Sequence, residues 1–291
     1  MYIESESREV ITKYNKMIKE RSKKIQKIWV SILLVVVGIL VILALIPGLL
    51  NNETGVILYG VYGGMTMLFL VIAVTVSFVS VSDKPAFNYL YKEIYDKINL
   101  EKGTFYEYTP FEKGDFDFNK RSGLFSKHAR ASVYRHVKGV SPNDNIFEIF
   151  DTILITGGGK NKTVHFNGIY CTLKYSSSSL LQIRSHSKPR LSGVKFERVE
   201  EEEKFKVFIE EGNRFSYNEE KYLDTMSRLK TDLKAKKIYL SITNDEIHFA
   251  YVPKTHIRKQ TNLSTNRLND IYSDFLYEIQ YLDELMETSE F

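Results

Sequence analysis

Two stretches without a charged side chain lie near the start of the chain, Ile28 to Leu50 and Val56 to Val81. At ~1.5 Å rise per residue, each is long enough as a helix to cross a hydrocarbon core of ~30 Å. The second would fit with some tilt. Only Asn51 to Gly55 separates them, so the pattern predicts a tight two-helix transmembrane hairpin over 28–81, with spans 28–50 and 56–81. The basic region before the first run is long and a second run follows at once, so an uncleaved hairpin is expected rather than a signal peptide. Neither run holds an ionisable residue, which argues for an anchor and against an ion or proton pathway. Gly60 and Gly64 form a Gly-x-x-x-Gly step beside Gly63. Such a step brings helices close in lipid, either against the first run near Gly38 or along a homodimer seam.

The flanking segments show other periods. In residues 1–27, Val10, Ile11, Tyr14, Met17, Ile18, Ile25 and Ile28 recur at helical spacing among lysines, predicting a basic amphipathic helix. That arm either lies on anionic headgroups or packs on the domain that follows. Residues 82–291 read as an α+β domain with a mostly antiparallel sheet. Pro85 to Leu100 carries an apolar stripe through Phe87, Leu90, Tyr91, Ile94, Tyr95 and Ile98. Ile169, Cys171, Leu173 and Tyr175 alternate with polar positions, as do Phe205, Val207 and Ile209, which marks half-buried strands. Ile146 to Ile155 reads as a more deeply buried strand. Lys237–Thr243 and Glu246–Val252 flank Asn244-Asp245, a pair that tolerates a two-residue turn. In that register Ile242 faces Ile247, Leu240 faces Phe249 and Ile238 faces Tyr251, all on one side.

Ser216 with Glu219 forms a capping box for a helix whose stripe is Tyr222, Leu223, Met226, Leu229 and Leu233. A closing helix from about Arg267 to Met286 buries Leu268, Ile271, Tyr272, Phe275, Ile279, Leu282 and Leu285. From Arg267 to Phe291 there are seven acidic residues and one basic one. The arm carries the opposite sign, so the first and last helices are expected to pair.

This order resembles the bacterial domain-of-unknown-function family numbered 3137. The likeness rests on Phe166-Asn167-Gly168 at a strand start, the acidic run Glu200 to Glu203 leading into Phe205-Lys206-Val207-Phe208, and the helix, hairpin and closing helix that follow. It covers about Tyr91 to Leu285 and is clearest from Phe166 to Val252. The resemblance implies a two-span membrane protein with a cytoplasmic α+β domain, and supplies no catalytic residues.

Charge changes the picture in one way. The arm holds eight Lys/Arg against four Glu, which matches the formal net charge of +4, and the domain is close to neutral. Basic residues flank both outer ends of the apolar runs and Glu53 lies between them. The positive-inside rule then puts both termini in the cytoplasm and predicts a multi-pass protein of the cell membrane. Cys171 is the one cysteine, in keeping with a reducing compartment. Asn52-Glu53-Thr54 matches a glycosylation pattern and reads as a turn.

Chemical motifs are few. Thr156-Gly157-Gly158-Gly159-Lys160 resembles a phosphate loop but lacks the following Ser/Thr and helix, so a glycine-rich turn is expected. The histidines at 128, 136, 165, 186, 248 and 256 show no ligand spacing, and neither a metal nor a cofactor is expected. Ser176 to Ser179 lacks the strand and helix of a nucleophile elbow. Asp115 and Asp117 read as a solvated pair. Lys120, Arg121, Lys127, Arg130, Arg135 and Lys138, with no acid from Lys120 to Val140, form a candidate contact for anionic lipid or another anionic ligand. Its alternative is an ordinary solvated strand and loop. Nucleic acid is not expected, since no binding motif accompanies the basic residues. The functional expectation is a membrane-anchored binding or scaffolding module with the lipid bilayer and an unknown protein as partners. The alternative is a membrane-tethered enzyme.

Overall fold

The computed structural model describes residues 4–45, 84–114, 118, 122–125, 130–141, 144–157, 161–174, 180–185, 191, 193–201, 205–212, 217–243, 245–254 and 262–287. These form α1 (Glu4–Leu45), α2 (Lys84–Lys102), β1 (Phe105–Gly114), β2 (Arg130–Val140), β3 (Ile146–Thr156), β4 (Thr163–Lys174), β5 (Leu181–Arg184), β6 (Phe196–Glu201), β7 (Lys206–Glu210), α3 (Tyr217–Asp232), β8 (Ala235–Ile242), β9 (Glu246–Pro253) and α4 (Thr265–Glu287). The chain divides into two compact units, one of Met1–Ile11 with Asn88–Phe291 and the other of Thr12–Phe87.

The first unit is an α+β fold on a nine-stranded antiparallel sheet ordered β1-β2-β3-β4-β9-β8-β5-β7-β6. Strands β1 to β4 follow one another as a meander. The β8–β9 hairpin then inserts between β4 and β5, so each of its strands gains a second partner. The hairpin has the register its alternation predicts, with Ile242 opposite Ile247, Leu240 opposite Phe249 and Ile238 opposite Tyr251. The predicted stripes of α2, α3 and α4 are all buried, from Leu90, Ile94 and Ile98 to Met226 and Leu229 and to Leu268 and Leu285. Asn244 and Ser216 lie outside the described residues.

Both faces of the sheet are covered at its centre, which is why β3 is buried at consecutive positions from Ile149 to Thr152. On one face Tyr106, Tyr108, Ile149, Cys171, Phe249 and Leu240 meet helices α2 and α4. Tyr95 of α2 stacks on Tyr108 at 6.2 Å and on Phe275 of α4 at 5.2 Å. On the other face Ala131, Val133, Phe150, Phe166, Tyr170 and Ala250 form a second core with Phe118, Leu124 and Phe125. Helix α3 joins α4 through an Arg228–Glu284 ion pair at 2.9 Å and a hydrogen bond from the Tyr281 hydroxyl to Asp232.

The start of α1 meets α2. Lys97 bridges Glu6 at 2.8 Å and Glu101 at 2.9 Å. The Tyr272 hydroxyl of α4 donates to the same Glu101. That hydrogen bond, with Lys97 behind it and against the effect of burial, holds the Glu101 carboxyl below the usual range. The arm contributes an acid here and α4 a hydroxyl, so these bonds are not the expected pairing of a basic arm with an acidic closing helix.

In the second unit Tyr14 is fully buried, with its ring 6.3 Å from that of Phe87. Further along α1, Trp29, Leu33 and Leu34 are exposed. Among the described residues no helix is long and apolar enough to cross a membrane. The expected two-helix transmembrane hairpin is therefore corrected to an α+β fold with a nine-stranded antiparallel sheet. The transmembrane description is corrected with it for the described residues. The 27/28 boundary lies inside one continuous helix. The run 56–81, with Gly60 and Gly64, lies outside the described residues.

Candidate functional site

A charged residue in an alternating strand normally faces water, because burying it unpaired costs several kcal/mol. Two neighbours on the sheet break that habit here, as does Arg184 of β5. Strand pairing sets Arg135 of β2 opposite Asp151 of β3, Asp151 opposite Ile169 of β4, and Ile169 opposite Tyr251 of β9. The row lies beneath α2 and α4, and both charged residues are at most 2 % exposed.

The helices supply the partners. The Arg135 guanidinium donates through Nη2 to both Glu278 oxygens, at 3.1 and 3.0 Å, and through Nη1 to the Tyr95 hydroxyl at 3.1 Å. Its plane lies over Phe275, with Cζ 4.3 Å from the ring centroid. Tyr251 donates to Glu278, and Tyr91 donates to Asp151 at 3.2 Å. Burial alone would lower the Arg135 pKa, but the Glu278 charge outweighs it and holds the guanidinium firmly protonated. Burial, then Glu278, pushes the Tyr251 hydroxyl and the Cys171 thiol up, so Cys171 stays a protonated, unreactive thiol.

Asp274, one turn before Glu278 on α4, borders the same cluster. Burial first, and the Glu278 charge second, raise its pKa from 3.8 to about 6 against the opposing pull of Arg267. The folded protein therefore binds a proton that the unfolded chain has released between those values. This contribution to stability is present below pH 3.8 and lost as pH rises through about 6. Asp274→Asn is accordingly expected to stabilise the protein by about 1 kcal/mol near neutral pH and to be neutral near pH ~4. Urea midpoints of the two proteins at both pH values check this. Equal midpoints at neutral pH would show that the carboxylate carries no penalty.

The cavity at this cluster has a volume of about 40 Å³ and is lined by Arg135, Asp151, Tyr251, Arg267, Asp274 and Glu278. That is room for a water and little more. What the arrangement does chemically is clamp α4 to the sheet.

The opposite face holds a second polar network. The Arg184 guanidinium donates to the carbonyls of Gly123, at 3.2 Å, and Leu124. Gln182 and Ser241 donate to the Ser122 carbonyl at 3.1 and 2.7 Å. Ser241 stands opposite His248 across the hairpin, a residue pair that nucleophilic catalysis uses. The Ser241 proton, however, goes to a backbone carbonyl, and the His248 Nδ1 is 2.9 Å from the Tyr170 hydroxyl. Both side chains are fully buried. The network pins the segment around Ser122 over the sheet and leaves no activated nucleophile among these groups.

The large concavity lies elsewhere. A groove of about 540 Å³ runs along α4, floored by Leu276, Tyr277 and Ile279, and bounded by Ile98 and Lys102 of α2 and Tyr106 of β1. Tyr277 is 39 % exposed, an aromatic surface open to a partner.

The basic residues expected to act together do not converge. Lys120, Arg121 and Lys127 lie outside the described residues, and Arg130 is placed only as the first residue of β2. Arg135 is corrected outright. It is interior and paired, so it meets no lipid or surface ligand. Lys138 is exposed and 3.6 Å from Glu148. Asp115, Asp117, His128, His186, His256 and Ser176 to Ser179 are outside the described residues, as are Gly158 to Lys160. Among the described residues no group of His, Cys, Asp and Glu is arranged to hold a metal ion.

Sequence reasoning misses Glu278, Asp151 and Asp274, although two of them carry a signal. Glu278 falls between Phe275 and Leu282 on the apolar stripe of the closing helix, and Asp151 interrupts the apolar run 146–155.

No protein-family model matches the chain, and no curated protein matches it. Among solved structures it is similar to the crystal structure of the mycobacterial trehalose monomycolate transport factor A. The two are 11 % identical over 68 % of this chain and 95 % of that one, with a TM-score of 0.38. A likeness of that degree assigns no activity here.

Proposed function

We propose that this chain is a non-enzymatic binding module whose contact surface is the groove along α4. The observation that carries the reading is a contrast of volumes. The cluster with convergent charges has about 40 Å³, while the concavity of about 540 Å³ is open, partly apolar and presents an exposed aromatic ring. Catalysis needs reactive groups where a substrate fits, whereas recognition needs an apolar floor with a polar rim. A protein partner suits the groove better than anionic lipid, because acidic side chains rather than basic ones line its end on α4. The single buried cysteine, Cys171, supports a reducing compartment as its place of action.

One observation favours the enzyme reading, namely the raised pKa of Asp274 beside the small cavity. It also has a plain structural account in burial beside Glu278, so it ranks second.

Photo-crosslinking in cells tests the proposal. Benzoylphenylalanine in place of Tyr277 is expected to give a discrete adduct that the same probe at the exposed Lys236 does not. Equal labelling at the two positions would remove the groove as the contact surface.

A further inference from the structure

We infer that the groove receives a basic amphipathic helix of a protein partner. The inference rests on the reading of the groove as contact surface and adds the chemistry of the occupant.

The shape argues for a helix. The groove follows α4 from Ser273 to Glu287, ~21 Å at ~1.5 Å per residue, the length of about four helical turns. Its long wall is α4, whose backbone groups before the last turn are spent inside the helix, and α2 adds Ile98 and Lys102 near its end. The strand at the groove is the edge strand β1, and at Tyr106 its N–H and carbonyl are already bonded to the Asn99 side chain, so an extended peptide does not gain main-chain pairing there. A helix instead brings only side chains, and the floor of Leu276, Tyr277 and Ile279 offers them an apolar track beside Ile98.

The charge argues for a basic one. Asp283, Glu284 and Glu287 line one end, against Lys102 within the groove. Asp283 is largely buried and accepts from Asn145 at 3.4 Å, whereas Glu284 is partly and Glu287 well exposed. Glu284 is paired with Arg228 at 2.9 Å, but that arginine is half exposed, and an exposed ion pair of this kind is exchanged at little cost. The negative end of the α4 dipole adds to the same place, and the last turn holds no basic residue to offset it. Lysines or arginines along one side of an incoming helix meet this end, while its apolar side covers Tyr277. The same charges repel anionic headgroups and nucleic acid.

The test uses the purified full-length chain and three labelled peptides of about 16 residues. One is an amphipathic helix of leucine and lysine, one is a scramble of it, and one has every lysine replaced by glutamate. Fluorescence anisotropy is expected to show binding of the first, at least about tenfold weaker binding of the scramble, and none of the acidic helix. Tyr277→Ala and Glu287→Lys are each expected to weaken the first peptide about five- to tenfold while leaving the melting temperature unchanged. Equal binding of the basic and acidic helices, or binding that ignores both substitutions, overturns the inference. If no peptide binds while the Tyr277 crosslink to a cellular protein persists, the basic helix is wrong and the groove stands. If the crosslink fails as well, both readings fall.

Discussion

Replacing Glu278 by alanine is expected to destabilise the protein by about 3–5 kcal/mol, a large part of the stability a domain of this size has. The reason is not the strength of the ion pair. Arg135 is fully buried and cannot lose its proton, so removing its bidentate carboxylate leaves a buried cation answered by the Tyr95 hydroxyl and the neighbouring Asp151 charge without its direct ion pair. The Tyr251 hydroxyl loses its acceptor in the same step. Glu278→Gln, which keeps an acceptor but not the charge, should fall between wild type and alanine. Replacing the pair together, Arg135→Met with Glu278→Leu, should cost much less than Glu278→Ala, because apolar groups of similar volume need no partner. Urea unfolding of the full-length variants, followed by far-ultraviolet circular dichroism, provides the comparison. A double variant as unstable as Glu278→Ala would make lost packing, and not the stranded charge, the cause.

Gly168→Ala is expected to cost about 3 kcal/mol, although it adds a single methyl group. A Cβ at Gly168 would lie 2.2 Å from the Tyr251 carbonyl oxygen and 2.9 Å from the Phe166 ring. The ring can turn, but the carbonyl belongs to β9 and cannot move without opening the sheet. Strands β4 and β9 form the seam between the β1–β4 meander and the inserted hairpin, so the substitution strikes where the two halves of the sheet join. Hydrogen exchange should show the amides of β9 near Tyr251 losing protection before those of β2 and β3. Gly38→Ala is the control. A methyl group there would meet nothing within 4 Å, and alanine is the better helix former by roughly 1 kcal/mol. A loss at Gly168 no larger than at Gly38 would mean that the seam can yield by the width of a methyl group.

Local pattern carries a large share of this fold. The stripes of α2, α3 and α4 and the register of the β8–β9 hairpin follow from side-chain spacing alone, because each depends on residues a few positions apart. Phe166-Asn167-Gly168 reads as a strand start but lies inside β4, which begins at Thr163, and its close approach to β9 is not legible, since Tyr251 lies far along the chain. The long apolar runs mislead in a different way. Hydropathy alone makes two spans of them, whereas among the described residues no helix is long and apolar enough to cross a membrane.

Arg135 shows most clearly where local reading stops. Ala131 and Val133 belong to the core on one face of the sheet, and plain alternation would put Arg135 beside them. An irregularity between Val133 and Arg135 inserts Tyr134 as an extra residue, and everything after it on β2 changes face. Arg135 therefore turns toward the helices, in a row with Asp151, Ile169 and Tyr251. A bulge depends on how two strands pair, so nothing in a single strand announces it. The acid that meets the arginine stands 143 positions later, at Glu278. Periodicity chose which residues of α4 would be buried, and Glu278 is visibly on that stripe. That its partner would be an arginine from a segment that reads as a basic surface followed from strand order, the bulge and the seating of α4 on the sheet.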